Sequence, residues 1–275
     1  MTTVLHRIYP CVYSCSSPRA LAGDYSLTTR LAWRFSIHTG VMTELSGASI
    51  LVVGATGGLG REIATELAAR GAKLTLTGRD QAALNALGIA GHTVVGDVTE
   101  TGTAERFVAA AESTYGRLDG VVYAAGVVAF GPASEVSDSV LDALWQINTK
   151  APMALIRSAT PALERSAQSG FSPFVVTISG VVAESPTAGL AAYSAVKSAL
   201  HAHIQAASRE LRRLGIRLLD ARPGHTETAL STHPIAGQAP QFPAGLAPSF
   251  VAARIVQAIE ANEKDLPSVA FSPLS

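Results

Sequence analysis

The chain has 275 residues, 48% of them hydrophobic and 15% charged, which is enough apolar mass to bury a sizeable core. Lys and Arg total 21 against 21 Asp and Glu, so no long-range basic field exists to gather nucleic acid or anionic lipid. The windows 166–183 and 229–253 lack charge but are broken by Pro and Gly, which excludes a membrane-crossing helix there.

The two cysteines are Cys11 and Cys15. The rest of the chain therefore has no thiol for a disulfide or a zinc site, and a reducing, cytoplasmic setting is expected. Residues 1–41 carry one acid, Asp24, against Arg7, Arg19, Arg30 and Arg34, with many Ser and Thr and no periodicity. We read them as an extension without packed elements. Met42 is the favoured physiological start, and an organellar targeting segment is the alternative. Residues 42–275 then form the working domain.

Residues 48–53 are apolar, β-branched and closed by glycines, and residues 61–70 have apolar side chains at helical spacing. They read as a strand, a turn and a helix. Strands are expected at 73–77, 92–95, 118–124, 174–178 and 217–221, and helices at 81–87, 103–115, 137–166, 191–214 and 250–262. The run 118–124 is almost continuously apolar, as in a parallel strand covered on both faces. Alternation of this kind predicts an α/β chain: a three-layer Rossmann fold in one domain, with a doubly wound, mostly parallel sheet of about seven strands. Residues 228–248 hold four prolines, Pro234, Pro240, Pro243 and Pro248; they are expected to form a long binding loop.

Gly54, Ala55, Thr56, Gly57, Gly58, Leu59 and Gly60 lie between the first strand and the first helix. Glycines in that place let the backbone turn sharply and approach a pyrophosphate at the helix N-terminus. The second strand ends Thr77-Gly78-Arg79 without the acidic residue that would hold an NAD ribose. Arg79 can give a forked contact to a 2′-phosphate, so NADP is expected over NAD, and Asp80 is read as a helix cap.

Tyr193 and Lys197 sit four residues apart on one face of a helix. A free tyrosine titrates near ~10, so phenolate near neutrality needs about 4 kcal/mol. A cation about 5 Å away at an effective dielectric of about 20 supplies roughly 3 kcal/mol.

The glycine turn, Asp97-Val98, Ala124-Ala125-Gly126, Asn148, Tyr193-x-x-x-Lys197 and Pro223-Gly224 together resemble the short-chain dehydrogenase/reductase family in order and spacing across residues 46–262. The resemblance implies that Tyr193 is the general acid/base, that Lys197 orients the nicotinamide ribose and lowers the tyrosine pKa, and that Asn148 holds a relay water. It also implies that Asp97 and Val98 border the adenine, and that Ala125, Gly126, Pro223 and Gly224 line the cofactor. The implied activity is hydride transfer between NADP and a small carbonyl or secondary alcohol, by a homodimer or homotetramer.

Two positions depart from the family. Tyr123 stands where Asn is frequent, which is expected to alter packing more than chemistry. Gly180 occupies the place of the usual catalytic serine, with Ser179 one residue earlier; Ser179 reaches a carbonyl only if the strand end shifts. A catalytically weak NADP-binding sensor is therefore the rival reading. The substrate is expected to be apolar, from Leu230, Ile235, Phe242 and Leu246 in the long loop, with His225 and Glu227 as polar candidates.

Overall fold

A computed structural model describes residues 42–272; the reading of residues 1–41 as an extension lies outside the described residues. Among the described residues, six strands form one parallel sheet: β1 (Ser49–Val53), β2 (Lys73–Gly78), β3 (His92–Val95), β4 (Gly120–Tyr123), β5 (Phe174–Ile178) and β6 (Arg217–Ala221), in the spatial order β3-β2-β1-β4-β5-β6. Successive side chains of a strand face opposite ways. Ile50 and Val52 of β1 accordingly enter a core with Ile63, Leu67, Val251 and Ile255. Leu51 and Val53 enter the other, with Phe107, Leu155, Leu163 and Ile204. Burial on both faces is why these strands read as unbroken apolar runs.

The helices are α1 (Gly58–Ala69), α2 (Gln81–Asn85), α3 (Thr103–Tyr115), α4 (Asp138–Trp145), α5 (Ala151–Gln168), α6 (Ala191–Leu211), α7 (Ala229–Thr232) and α8 (Pro248–Glu260). α1 and α8 cover one face, while α3, α5 and α6 cover the other. The expected seventh strand is reduced to one parallel bridge between Ala221 and Leu266. Pro267 follows directly and has no N–H to continue a ladder.

The helix expected over 137–166 is in fact α4 and α5 joined by a π-helical turn, Gln146–Lys150. Its cause is local. The N–H that would close on the Asn148 carbonyl belongs to Pro152, which lacks one. The extra residue of the π turn rotates Asn148 into the interior, where it is fully buried. β1 and β4 stay paired up to Val53 and Tyr123, but strand order reverses between them, so the connections that leave their carboxyl ends run to opposite faces of the sheet and leave a crevice there.

Candidate active site

β1 delivers Gly54 to that crevice at φ 82°. A Cβ on Gly54 would lie 2.6 Å from the Ala125 backbone nitrogen, and one on Gly60 would lie 2.2 Å from the Gly54 carbonyl oxygen. Only glycine lets these segments approach so closely. α1 then starts at Gly58, and its cap, Gly57, supplies no side-chain acceptor. The N–H groups of the first turn are left pointing outward beside exposed Thr56, Gly57 and Gly58 and half-buried Leu59. A twelve-residue helix with an uncapped, glycine-lined start suits an anionic group, and the pyrophosphate of a dinucleotide fits it.

At the end of β2, Arg79 is exposed. Thr56 packs against Gly78, its Cγ2 lying 3.0 Å from where a Cβ of that glycine would be. Asp80 caps α2 by accepting from the Ala82 N–H at 2.8 Å. Asp97 accepts from the backbone N–H of Thr99 at 2.8 Å and from its hydroxyl at 2.7 Å. These two bonds, aided by the charge of Arg79 and opposed by partial burial, hold its carboxyl below the usual range. Val98 packs against the core below.

The chemistry-bearing side chains converge next to Gly126. A Cβ there would lie 3.0 Å from Asn148 Oδ1 and 3.8 Å from Lys197 Nζ. Lys197 Nζ lies 5.6 Å from the centroid of the Tyr193 ring and donates to the Ile178 carbonyl at 2.8 Å. Asn148 Nδ2 donates to the carbonyls of Val127 (2.9 Å) and Leu144 (3.1 Å), while its Oδ1 accepts from the Val127 N–H at 3.3 Å. Both its neighbours are anchored too. The Tyr123 hydroxyl donates to the Ile147 carbonyl at 2.6 Å, and the Thr149 hydroxyl donates to the Val196 carbonyl at 2.8 Å. Tyr123, the departure in β4, thus holds the π turn that carries Asn148, a role beyond packing.

Burial dominates the ionisation of this group. It pushes the Tyr193 phenol above its ordinary value and the Lys197 ammonium down to about 8, with Asp220 opposing the second shift. The lowering of the phenol expected from Lys197 is not seen here, and burial keeps the Tyr193 phenol protonated near neutral pH.

Ser179 and Gly180 are placed differently from each other. The Ser179 side chain is fully buried and its hydroxyl donates to Asp220 Oδ2 at 2.5 Å; that commitment keeps it from steadying a carbonyl at Tyr193. Gly180 has φ 77° and ψ 166°. A Cβ there would have only the Pro223 carbonyl oxygen nearby, at 3.8 Å. The slot is spatially open but its backbone conformation suits glycine alone.

Beyond β6, Pro223 is buried and Gly224 half-buried, and the chain swings out as a strap. Thr228 comes back over the glycine turn, its Cβ 3.0 Å from where a Gly58 Cβ would be. Nothing in its sequence context singled it out. Further along, the Ile235 N–H donates to the Val128 carbonyl (2.8 Å) and the Phe130 N–H to the Ala236 carbonyl (2.9 Å), stitching the strap to the segment after β4. The His225 ring stacks on Phe242 at 4.6 Å, and Glu227 accepts from the Gly245 N–H at 2.6 Å. These two polar candidates brace the strap itself. Beneath it, a cavity of about 340 Å³ is lined by Phe130, Val136, Val140, Leu190, Ala192 and Ala236, next to the start of α6. Among the described residues, no helix is long and apolar enough to cross a membrane.

Comparison with known proteins agrees with this layout. A family model described as short chain dehydrogenase matches residues 48–238. An uncharacterized oxidoreductase of Staphylococcus aureus (strain MW2) is 32% identical over 197 residues, covering 69% of this chain and 83% of that protein. The crystal structure of a dehydrogenase/reductase from Sinorhizobium meliloti 1021 is 25% identical, with a TM-score of 0.71 over 83% of this chain and 96% of that one. A 3-ketoacyl-(acyl-carrier-protein) reductase from Brucella melitensis, complexed with NADH, shares the fold at a TM-score of 0.73 and 23% identity, over 82% of this chain and 97% of that one.

Proposed function

Because this chain is an oxidoreductase that belongs to the short-chain dehydrogenase/reductase family, we propose that it reduces a small apolar carbonyl compound with NADPH, Tyr193 donating the proton. The observation that carries the reading is the convergence of Tyr193, Lys197, Asn148 and Gly126 beside the glycine turn. When bound, the nicotinamide cofactor supplies the hydride. Tyr193 gives its phenolic proton to the oxygen on which negative charge develops: burial raises its pKa and keeps the phenol protonated at neutral pH, and the developing alkoxide is the stronger base that takes the proton. Lys197, held by the Ile178 carbonyl, would meet the ribose of the bound cofactor and pass a proton toward Tyr193, its own proton being replaced through the water at Asn148. Asn148, locked by its backbone contacts, holds a water with the remaining lone pair of Oδ1. Arg79, exposed with no acidic residue in its place on β2, supports NADP over NAD.

The substrate side is supported by the strap cavity, which adjoins Tyr193 through Ala192 and whose mostly apolar lining also includes Glu135, Ser137 and Gln238. With glycine at 180 and Ser179 bound to Asp220, Tyr193 is the donor on which polarisation of the carbonyl rests. That same observation favours a second reading, an NADP-binding sensor with little turnover. A homodimer or homotetramer fits the exposed Leu141 and Trp145 of α4; light scattering tests it.

The deciding experiment follows NADPH absorbance with the full chain and a panel of ketones, aldehydes and quinones. Turnover with at least one carbonyl, lowered about 10²- to 10⁴-fold in Tyr193→Phe with NADPH affinity retained, is the expected result. Tight NADPH binding with no oxidation across the panel establishes the sensor instead.

A further inference from the structure

The strand Arg217–Ala221 opens on a half-buried arginine and is otherwise apolar except for Asp220, whose side chain is almost completely buried. A buried carboxylate needs donors or cations, and its partners come from three elements. From β5, the Thr177 hydroxyl donates to Oδ1 at 2.8 Å and the Ser179 hydroxyl to Oδ2 at 2.5 Å. From α6, His201 Nδ1 lies 2.7 Å from Oδ2, while its Nε2 lies 3.0 Å from Gln205 Nε2. The tautomer that satisfies both contacts has Nδ1–H donating to Asp220. From the end of β6 itself, Arg222 Nη1 is 3.5 Å away.

Thr177 and Ser179 flank Ile178, the residue whose carbonyl accepts Lys197 at 2.8 Å. Side chains two apart on a strand face the same way, so one carboxylate grips the chain on both sides of that carbonyl. The Ser179 and Gly180 N–H groups both donate to the Ala221 carbonyl, at 3.0 and 3.2 Å, closing the same turn. His201 follows Lys197 by one helical turn on α6. Asp220 therefore fixes both ends of the lysine contact, the carbonyl on β5 and the helix that carries the ammonium.

We propose that Asp220 is a positioning residue for Lys197: through Thr177, Ser179 and His201 it sets the distance between the Ile178 carbonyl and the lysine, and it faces the ammonium with a buried negative charge. The proposal rests on the oxidoreductase reading only in taking Lys197 as the lysine that serves the cofactor. Among the described residues, the charged and titratable groups tied to this cluster are Lys197 and His201 from α6, Arg222 from the end of β6 and, through Arg222, Glu184 and Asp265. Arg222 also pairs with Glu184 and with Asp265, the latter at 2.8 Å. With Arg222 shared among three carboxylates, Asp220 is the member of this cluster whose charge acts on Lys197. Burial lowers the lysine pKa and Asp220 raises it, the direction expected of an opposite charge nearby. The arrangement also explains why Ser179 cannot serve a substrate: its hydroxyl holds the turn.

The test measures Lys197 without requiring turnover. The full chain, free of cofactor, is labelled with acetic anhydride across a pH series, and mass spectrometry of the Lys197 peptide gives a titration midpoint and a high-pH plateau rate. The wild-type midpoint is expected near the value of about 8 set by its surroundings. Asp220→Asn lowers it by about one unit, the low end of what a nearby opposite charge contributes, since the carboxylate acts on the ammonium without a direct ion pair. Ser179→Ala keeps the charge but cuts one arm of the grip; it raises the plateau rate several-fold by loosening the contact. If Asp220→Asn does not fold, the Ser179→Ala plateau decides alone. An unmoved midpoint in a folded Asp220→Asn, or an unmoved plateau in Ser179→Ala, overturns the proposal. NADPH binding and oxidation on the same wild-type sample report separately on the functional reading, so a chain that neither binds nor turns over leaves the labelling result for Asp220 intact.

Discussion

Restoring the family's serine at position 180 is the substitution that sequence comparison invites, and the fold argues against it. In Gly180→Ser the new Cβ meets nothing closer than the Pro223 carbonyl oxygen at 3.8 Å, so steric clash contributes little. The cost lies in the backbone. With φ 77° and ψ 166° the residue occupies a region almost reserved for glycine, where any other residue costs about 1–3 kcal/mol. For a domain of this size, each kcal/mol lowers the melting temperature by roughly 2–4 °C, giving an expected drop of about 2–12 °C. Gly180→Ala shows the same drop, because the strain belongs to the backbone and not to the hydroxyl. A correctly placed donor would add about 10²- to 10³-fold in rate, but relief of the strain turns the segment away from that geometry, so turnover in Gly180→Ser stays within about tenfold of wild type. Calorimetry of the three proteins, with NADPH oxidation measured alongside, checks both parts. An unchanged melting temperature, or a rate increase approaching about 10²-fold, refutes the reasoning.

Arg79→Ala removes the exposed guanidinium at the end of β2; at about 1.5–3 kcal/mol for charge-assisted bonds, NADPH binding weakens roughly 10- to 100-fold while NADH binding is unchanged, as measured by cofactor fluorescence titration. The ammonium of Lys197 is lost as pH rises through about 8, well below its ordinary 10.5, so turnover falls along a one-proton alkaline limb, and Asp220→Asn moves that limb to lower pH. Between these two values the unfolded chain binds more protons than the folded one, so this group makes stability rise with pH across the interval, which chemical denaturation at several pH values will register.

Much of the molecule was legible in the chain order of its residues. Local patterns located every strand of the sheet because β1, β2, β4, β5 and β6 are buried on both faces or nearly so, and parallel strands under two helical layers must be apolar throughout. The glycine turn and the Tyr193/Lys197 pair were equally plain, since each depends on spacing within one element or one turn. Asp220 carries a signal of its own, a lone acid inside an apolar strand, but it belongs to no recurring motif and its partners lie on other elements. The long helix over 137–166 is where the local pattern misleads. Apolar periodicity persists through the π turn, and Pro152 gives the only local hint of the interruption.

Residue order alone thus determined the α/β alternation, the cradle for an anion and the helix face bearing the phenol and the amine, all of which arise from short-range geometry and burial pattern. Tertiary structure decided what those groups are able to do. It placed Ser179 against Asp220, gave Gly180 a conformation that a serine would adopt only under strain, and carried Asn148 inward on a turn anchored by Tyr123 and Thr149. Those outcomes depend on contacts between residues that lie far apart along the chain, 41 positions in the case of Ser179 and Asp220, and on the desolvation that only a closed interior imposes on a phenol and an ammonium.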